Sequence, residues 1–332
     1  MRRREFVSAL GLTTAAALAG LGATPAEAEP PPETARLRLV RTTSICQAPQ
    51  YVAEELLRAE GFTDIRYIPK KGPQAIDDAL ASGQADVNMH FSGPLILRID
   101  EGAPIVMLAG VHPGCYELFG TDRVRTISDL KRKTIGIRGL GGPEHVFLAS
   151  MLAYVGLDPR TDVRWEAHDT EESIALLAAG RIDAFMGFPP DPQELRARKI
   201  GHVVVNSNVD RPWSQYFCCM LAGHREFVRK HPVATKRALR AILKASTICS
   251  AEPEQAARVL VDGHYTTRYD WALQAIKEIS YSRWRDYDPE DTIRFYGLRL
   301  HESGMVKSNP KKIIAEGSDW RFINELKREL KG

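Results

Sequence analysis

Short apolar runs alternate with amphipathic stretches along the part of the chain that precedes residue 223. The runs at 37–40 and 104–111 resemble buried strands, whereas 51–61 has apolar residues at helical spacing and ends at Gly61. Beyond residue 223 the spacing of apolar residues is mainly helical. This order of elements predicts an α/β fold with extra C-terminal helices.

One pattern of this kind occurs twice. Segments 75–91 and 173–188 each contain a short amphipathic helix that ends at a glycine, followed by an aspartate (Asp86 or Asp183) and an apolar strand. The glycine favours the left-handed conformation that ends a helix, and the apolar run is typical of a buried parallel strand. The repetition predicts two similar α/β lobes, with chance similarity of two short segments as the alternative.

The predicted lobes are not continuous in sequence. We predict a first lobe at 36–120 and 217–332, and a second lobe at 121–216. One α/β lobe does not need four further helices, so we expect the C-terminal helices to pack on the first lobe. The chain would then cross between lobes twice, near Gly120 and near Trp213, which makes a hinge beside a central cleft.

The first 28 residues have the pattern of an export signal. Three arginines precede an apolar run, and Ala26-Glu27-Ala28 fits a small-x-small cleavage site. The pair Arg3-Arg4 resembles a twin-arginine signal, with ordinary secretion as the alternative. We therefore expect a periplasmic or extracellular protein, cleaved after Ala28.

The charge of the chain is nearly balanced. The formal net charge of +3 includes the arginines of the expected signal. The remaining chain has no basic patch that indicates a nucleic-acid partner. Its apolar runs are also too short for a membrane span after the signal.

The five cysteines do not have the spacing of a known motif. Cys46, Cys115, Cys218, Cys219 and Cys249 include no C-x-x-C pair, and neither they nor the histidines have zinc-site spacing. Free cysteines are usually small buried hydrophobes, and a Cys46–Cys115 disulfide is the alternative. We therefore expect neither a metal site nor a cofactor.

Several segments together resemble one family. They are "APQYVAEELLRAEGF", "ALASGQADV", "GAPIVMLAGVH", "SDLKRKTIGI", "YVGLDP", "AAGRIDAFMGFPP" and "FVRKHPVATKRALRAILKA". In this order they resemble the periplasmic solute-binding proteins of ABC importers, in the sulfonate-, taurine- and nitrate-binding and thiamine-pyrimidine synthase-like branch. The resemblance implies a two-lobed type II fold, a monomer, and delivery of a small polar or anionic organic solute to the importer's membrane subunits.

The family places its ligand in loops at the C-terminal ends of strands, the usual ligand edge of open α/β sheets. Residues with hydrogen-bonding or aromatic side chains, and glycines that expose backbone N–H groups, suit a small polar solute there. "RGLGG" before Pro143 is either an anion cradle or a plain strand–helix turn. The expected ligand-binding residues are Thr43, Ser44, Cys46, Gln47, His90, Ser92, Gly93, Arg138, Gly141, Gly142, His145, Phe188, Trp213 and Tyr216.

An enzyme on the same scaffold is the other interpretation. "SICQAP" matches the S-x-C-x-x-P setting of the nucleophilic cysteine in aromatic sulfinate desulfinase, with Cys46 as the nucleophile and His90 or His112 as its base. His90 stands where the desulfinase has an arginine, which weakens the match. A thiamine-pyrimidine synthase-like activity fits less well, because "YFCCML" is out of register with that branch's cysteine cluster. We expect a binding protein with no catalytic residue.

Overall fold

The computed structural model describes residues 29–330, so the predicted signal at 1–28 lies outside the described residues. Everything reported below belongs to one compact unit that begins at Pro32. Within the described residues, no helix combines the length and the apolar character needed to cross a membrane.

In the described residues, ten strands form three sheets. A parallel pair contains β1 (Arg36–Arg41) and β2 (Asp64–Pro69). A three-stranded sheet has the order β3–β10–β4, with β10 antiparallel to both neighbours; its strands are β3 (Val87–Phe91), β4 (Ile105–Pro113) and β10 (Phe217–His224). A five-stranded sheet has the order β7–β6–β8–β5–β9; its strands are β5 (Glu117–Gly120), β6 (Thr134–Ile137), β7 (Arg164–Ala167), β8 (Ala184–Gly187) and β9 (His202–Asn206).

Helices cover these sheets. Those of the N-terminal part are α1 (Ala48–Val52), α2 (Glu54–Ala59), α3 (Ala75–Ala81) and α4 (Ser92–Asp100), and those between β6 and β9 are α5 (Pro143–Tyr154), α6 (Thr170–Ala178) and α7 (Asp191–Arg198). The C-terminal helices are α8 (Arg225–Lys230), α9 (Pro232–Ala251), α10 (Pro253–Asp262), α11 (Tyr269–Glu278), α12 (Pro289–Glu302), α13 (Pro310–Gly317) and α14 (Arg321–Glu329). Short 3₁₀ turns occupy Ile45–Gln47, Ile127–Leu130, Trp213–Gln215 and Tyr281–Arg285.

The repeated helix–strand unit has the same local structure in both places. Gly83 and Gly180 end their helices with φ values of +67° and +65°. The Asp86 carboxylate accepts a 2.7 Å hydrogen bond from the backbone N–H of Arg38, and Asp183 accepts a 2.9 Å bond from that of Thr134. Each aspartate thereby ties the start of a buried strand, β3 or β8, to its neighbour, β1 or β6.

The C-terminal helices contact mainly the N-terminal strands and helices. Arg240 on α9 donates a 2.7 Å hydrogen bond to Glu60 after α2, and Ser318 after α13 forms a bridge with Met107 of β4. Two of these helices also contact helices that lie between β6 and β9, since α12 packs on α5 and α11 packs on α7. The α/β fold with extra C-terminal helices is thus confirmed.

The chain passes between the three-stranded and five-stranded sheets twice. The first passage, residues 114–116, comes before Gly120, because β5 pairs with β8 and β9 of the five-stranded sheet. The second passage is 207–216. The two passages touch, since the Ser207 hydroxyl accepts hydrogen bonds of 3.1 and 2.9 Å from the N–H groups of Cys115 and Tyr116.

Candidate ligand site between the two sheets

The ends of the strands from the two sheets face each other where the chain passes between them. The C-terminal end of β4 continues through 114–116 into the start of β5, and β10 begins immediately after the second passage. Antiparallel pairing sets Phe217 of β10 beside Pro113 of β4, and Glu117 of β5 beside Gly187 of β8. The loops at these strand ends are therefore the candidate site.

The turn after β1 contributes thiol, hydroxyl and amide groups. The Ser44 hydroxyl lies 3.1 Å from the Cys46 sulfur, and the Gln47 amide donates a 3.0 Å hydrogen bond to the Met89 carbonyl. Cys46 and Gln47 are buried, whereas Thr43 is exposed. The backbone N–H of Ile45 donates to the Pro189 carbonyl at 3.3 Å, which joins this turn to the loop after β8.

Arg138, at the end of β6, is held by two buried carboxylates. Its guanidinium donates to Glu144 at 2.6 Å and to Asp191 at 2.5 Å, and its Nε donates to the Thr170 hydroxyl at 2.8 Å. Its carbon Cζ lies 4.1 Å from the centre of the Phe188 ring. All three guanidinium nitrogens thus donate to protein oxygens, and the charge of Arg138 is matched.

Burial changes the protonation of this group. Desolvation raises the pKa of Asp191 to about 6, although the nearby Arg138 guanidinium lowers it. Desolvation also tends to lower the pKa of Arg138, but the two carboxylates keep it above its ordinary value. The site therefore has one permanent cation beside two acids, one of which titrates close to neutral pH.

The glycine loop after Arg138 lies against residues from the other set of elements. The Gln74 amide, just before α3, donates to the Leu140 carbonyl at 3.5 Å. A Cβ placed on Gly142 would lie 2.7 Å from the Cβ of Pro73, so a side chain there would separate the two segments. Gly141 has φ +75° and a Cβ there would collide with Gln74. Gly141 and Gly142 therefore permit a close contact between the loop after β6 and the segment before α3.

His145 follows this loop in α5. Its Nδ1 accepts a 3.1 Å hydrogen bond from the N–H of Gly141, and its ring meets Trp165 edge to face at 4.7 Å. Burial lowers the pKa of His145 to about 4. The imidazole is therefore neutral near pH 7 and orders the loop.

The expected residues at the end of β3 and the start of α4 are buried. The His90 Nε2 lies 3.0 Å from the Asp77 carboxylate; burial lowers the pKa of His90, but the Asp77 charge outweighs it and the net pKa is raised. Ser92 donates to the Phe217 carbonyl at 3.5 Å. A Cβ on Gly93 would lie 2.6 Å from the Phe91 ring and 2.8 Å from Val146.

Trp213 and Tyr216 lie in an aromatic cluster. Tyr216 stacks on Phe295 of α12 with ring centres 4.0 Å apart, and Trp213 meets Phe295 at 5.6 Å and Phe147 at 5.8 Å. These contacts fix the second passage against α12 and α5. Contact of these two rings with a ligand stays a prediction.

A second buried ionic group was not expected from the sequence. Arg196 of α7 donates to Glu117, at the start of β5, and donates a 2.7 Å bond to Glu278 of α11. Burial raises the pKa of Glu117 to about 7, with Arg196 opposing the rise. A carboxylate at the first position of a buried strand, next to a passage between the sheets, is the sequence signal that could have identified Glu117.

Four of the five cysteines meet at the two passages. The Cys46 sulfur lies 4.0 Å from that of Cys219, and the Cys115 sulfur lies 3.2 Å from that of Cys218. All five cysteines are buried and free, so the structure has the expected buried thiols and no Cys46–Cys115 disulfide. Their positions are far apart in sequence, which is why spacing did not reveal the cluster.

His112 borders this cluster. Its Nδ1 lies 3.1 Å from the Gly114 carbonyl and its Nε2 lies 3.1 Å from the Cys46 carbonyl. Burial tends to lower the pKa of His112, but Cys219 and the carbonyls of Pro113 and Gly114 outweigh it and raise the net pKa. Hydrogen bonds from Cys115, Cys218 and Cys46 lower the pKa of Cys219, and the His112 charge lowers it further. A hydrogen bond from Cys115 lowers the pKa of Cys46, but Cys219 and burial outweigh it and raise the net pKa.

Known proteins share the sequence pattern and the fold. A model of the NMT1-like family matches residues 28–261. The nitrate/nitrite binding protein NrtA of Nostoc is 23% identical over 262 residues, which cover 71% of this chain and 59% of that protein. This chain thus spans about three fifths of the length of that relative.

Solved structures give the same architecture. The periplasmic nitrate-binding protein NrtA of Synechocystis superposes with a TM-score of 0.72 and 15% identity, over 91% of this chain and 90% of that one. The periplasmic aliphatic sulphonate binding protein SsuA of Escherichia coli gives 0.65 and 17%, over 84% and 91%. DszB in complex with biphenyl-2-sulfinic acid gives 0.59 and 14%, over 89% and 99%. At these identities the likeness establishes the two-lobed periplasmic-binding-protein fold.

Proposed function

Because the chain belongs to the NMT1-like family, we propose that it is an extracytoplasmic solute-binding protein. It captures a small polar solute between its two lobes and delivers it to the membrane subunits of an ABC importer. The relatives named as nitrate- and sulphonate-binding proteins support a transport role. One lobe contains the two-stranded and three-stranded sheets, the other contains the five-stranded sheet, and the two passages form the hinge.

The observation that carries the proposal is the buried polar group around Arg138. Arg138, Glu144 and Asp191 lie at the strand ends that face the Cys46 turn, and the Ile45–Pro189 hydrogen bond joins the two sides. Binding sites are usually concave, largely apolar and supplied with a few fixed polar groups. Thr170 and the Phe188 ring complete such a set here.

The charge of this group favours one class of solute. Arg138 is already matched by two acids, so a fully charged anion would have to compete with Glu144 and Asp191 for the same donors. A neutral or N–H-bearing solute can donate to the carboxylate oxygens while Arg138 keeps its ion pairs. Among small polar solutes, we therefore favour those with N–H donors over nitrate or sulfonates.

Thermal unfolding with a solute library tests this proposal. A solute bound only by the folded chain raises Tm with the logarithm of its concentration once that concentration exceeds Kd. We expect a concentration-dependent rise with at least one polar solute, and a larger rise with N–H-bearing solutes than with nitrate, taurine or alkanesulfonates. A library that leaves Tm unchanged throughout contradicts solute binding, whereas a rise only with the anions contradicts the preferred class alone.

The geometry around Cys46 gives little support to a catalytic thiol. His90 faces Asp77, and the Nε2 of His112 faces the Cys46 carbonyl rather than its sulfur. A nucleophilic thiol needs a base within hydrogen-bond reach or a lowered pKa, whereas the net pKa of Cys46 is raised. We therefore propose binding without turnover at Cys46, a proposal that an assay with aromatic sulfinates tests directly.

Export is proposed from the arginine-rich start of the sequence. We expect mature protein that begins at Glu29 outside the cytoplasmic membrane and is monomeric. Replacing Arg3 and Arg4 together by lysine should block export through the twin-arginine route. Normal export of that double variant would support ordinary secretion instead, and size-exclusion chromatography with light scattering checks the monomer.

A further inference from the structure

Three cysteine sulfurs meet where the chain passes between the two sheets. Cys46 belongs to the 3₁₀ turn after β1, Cys115 to the first passage, and Cys219 to the start of β10 just after the second passage. Their sulfur atoms all lie within 4.8 Å of one another. We call these three atoms the sulfur triad.

The spacing of the sulfur triad fits a single metal ion. A thiolate binds Zn²⁺ at about 2.3 Å, so sulfurs that share one ion stand about 3.8–4.0 Å apart. The Cys46 and Cys219 sulfurs lie 4.0 Å apart, and small side-chain rotations bring the longest separation in the triad into the same range. The three thiols are buried, lie close together and form no disulfide. A metal ion would give all three sulfurs a common partner.

The surroundings select a soft ion. The three cysteines are at most 5% exposed. Mg²⁺ and Ca²⁺ prefer oxygen ligands from carboxylates and water, and the triad consists of sulfur atoms. Sulfur-only sites favour Zn²⁺ and Cu⁺. The His112 ring borders the triad but directs both nitrogens to carbonyl oxygens, so it supports the site without acting as a ligand.

We propose that Cys46, Cys115 and Cys219 together bind one thiophilic metal ion, Zn²⁺ or Cu⁺. Binding forms three metal–sulfur bonds, and each thiol that binds as a thiolate releases its proton to solvent. No oxidant or reductant is consumed. The bound ion joins the turn after β1 to both passages, so it restrains the hinge as well as stabilising the fold. This site is independent of the solute proposal, because the solute is assigned to the Arg138 group.

Metal titration of the full chain tests the proposal. Protein reduced and stripped of metal is titrated with Zn²⁺ against a chromophoric chelator, and separately with Cu⁺ against a Cu⁺-specific chelator. We expect one equivalent of at least one ion to bind with a thiolate-to-metal charge-transfer band. Cys46→Ser, Cys115→Ser and Cys219→Ser should each weaken binding at least tenfold and reduce that band.

Cys249→Ser is the matched control. Cys249 is fully buried in α9 and does not belong to the cluster, so its replacement should leave metal affinity within about twofold. Circular dichroism and Tm of each variant separate lost binding from lost folding. If a triad variant does not fold, the wild type still gives an answer: metal should slow alkylation of Cys46, Cys115 and Cys219 while leaving that of Cys249 unchanged.

Two results would overturn the proposal. One is equal affinity of the wild type and all three triad variants for both ions, which would place any metal elsewhere. The other is a Cys115–Cys218 disulfide in the purified protein that reductants remove only on unfolding, because it would take Cys115 out of the triad.

Discussion

The two sheets are built alike at the starts of their buried strands and differently at the ends that face each other. Asp86 accepts the backbone N–H of Arg38 in β1, Asp183 accepts that of Thr134 in β6, and each aspartate also pairs with an arginine, Arg38 or Arg123. At the facing ends, one side contributes thiols and Gln47, and the other contributes Arg138 with two carboxylates. The repeated aspartates at the strand starts therefore stabilise the fold, and the differing side chains at the facing ends supply the groups that a ligand could contact.

Removal of Arg138 should have the largest effect. Arg138→Met leaves Glu144 and Asp191 buried without a partner, and breaking a buried ion pair from one side costs about 3–5 kcal/mol. Chemical denaturation at pH 7 measures the loss of unfolding free energy. The loss should shrink at pH 5, because the unpaired carboxylates then bind protons.

Arg125→Met is the control for this variant. Arg125 forms an ion pair with Asp122 in which both side chains are mostly exposed, so its loss should change the unfolding free energy by about 0.5 kcal/mol or less. A comparable loss in both variants would contradict the assignment of Arg138 to a buried group.

The two repeated aspartates should respond alike. Asp86→Ala and Asp183→Ala each remove the acceptor of a backbone N–H and the carboxylate partner of an arginine, which should lower the unfolding free energy by about 2–3 kcal/mol. Arg123 is more exposed than Arg38, so the Asp183 variant should lose less. Urea unfolding of both variants, with the exposed-pair variant Asp64→Ala as control, checks the order. Effects that differ by several-fold would break the equivalence of the two units.

Stability should fall as pH rises through the range set by Glu117. Its pKa in the folded protein is about 7, above the ordinary 4.5, so the folded state binds the proton more tightly than the unfolded state between these values. The stabilisation is complete below about pH 4.5 and is lost as the pH rises through about 7, by about 3 kcal/mol. Glu117→Gln should flatten the difference in unfolding free energy between pH 5 and pH 7.5. The exposed Glu55→Gln should retain the wild-type profile.

The smallest effect is expected at Cys46. Cys46→Ser changes side-chain volume little and keeps a polar atom, so solute affinity should stay within about tenfold, or 1.4 kcal/mol. Calorimetry with a solute found by thermal shift measures it, and Cys249→Ser is the control. Sulfinate turnover by the wild type, rapid iodoacetamide labelling of Cys46 and loss of turnover in Cys46→Ser would together make the chain an enzyme.

The repeated unit made the fold predictable from sequence. A glycine, an aspartate and an apolar run at short fixed spacing express local conformational preferences, which a sequence displays directly. The end of β6 was also correctly expected to bear Arg138, and Phe188 does lie beside it. Position at a strand end follows from local pattern, so both could be anticipated.

The partners of these residues could not be predicted in the same way. Glu144 and Asp191 neutralise Arg138 from the first turns of α5 and α7, and this pairing depends on how these helices pack beside β6. A ligand contact of Trp213 stays a prediction, and its packing in the aromatic cluster with Phe295 of α12 could not be read from local pattern. The sulfur triad could not be predicted from the sequence for the same reason, since its three cysteines meet only after the chain has passed between the sheets twice.

The contact between the two passages restricts how the lobes can move. Ser207 accepts from the N–H groups of Cys115 and Tyr116 and donates a 2.8 Å bond to the Tyr116 carbonyl, and a Cβ on Gly114 would lie 2.6 Å from the Cα of Asn208. Two linkers that are hydrogen-bonded side by side favour rotation about one common axis, whereas two separate linkers would also permit sliding and twisting. In the proposed hinge, opening should therefore be a rotation about one axis, and the distance across the cleft should report how far the lobes have opened.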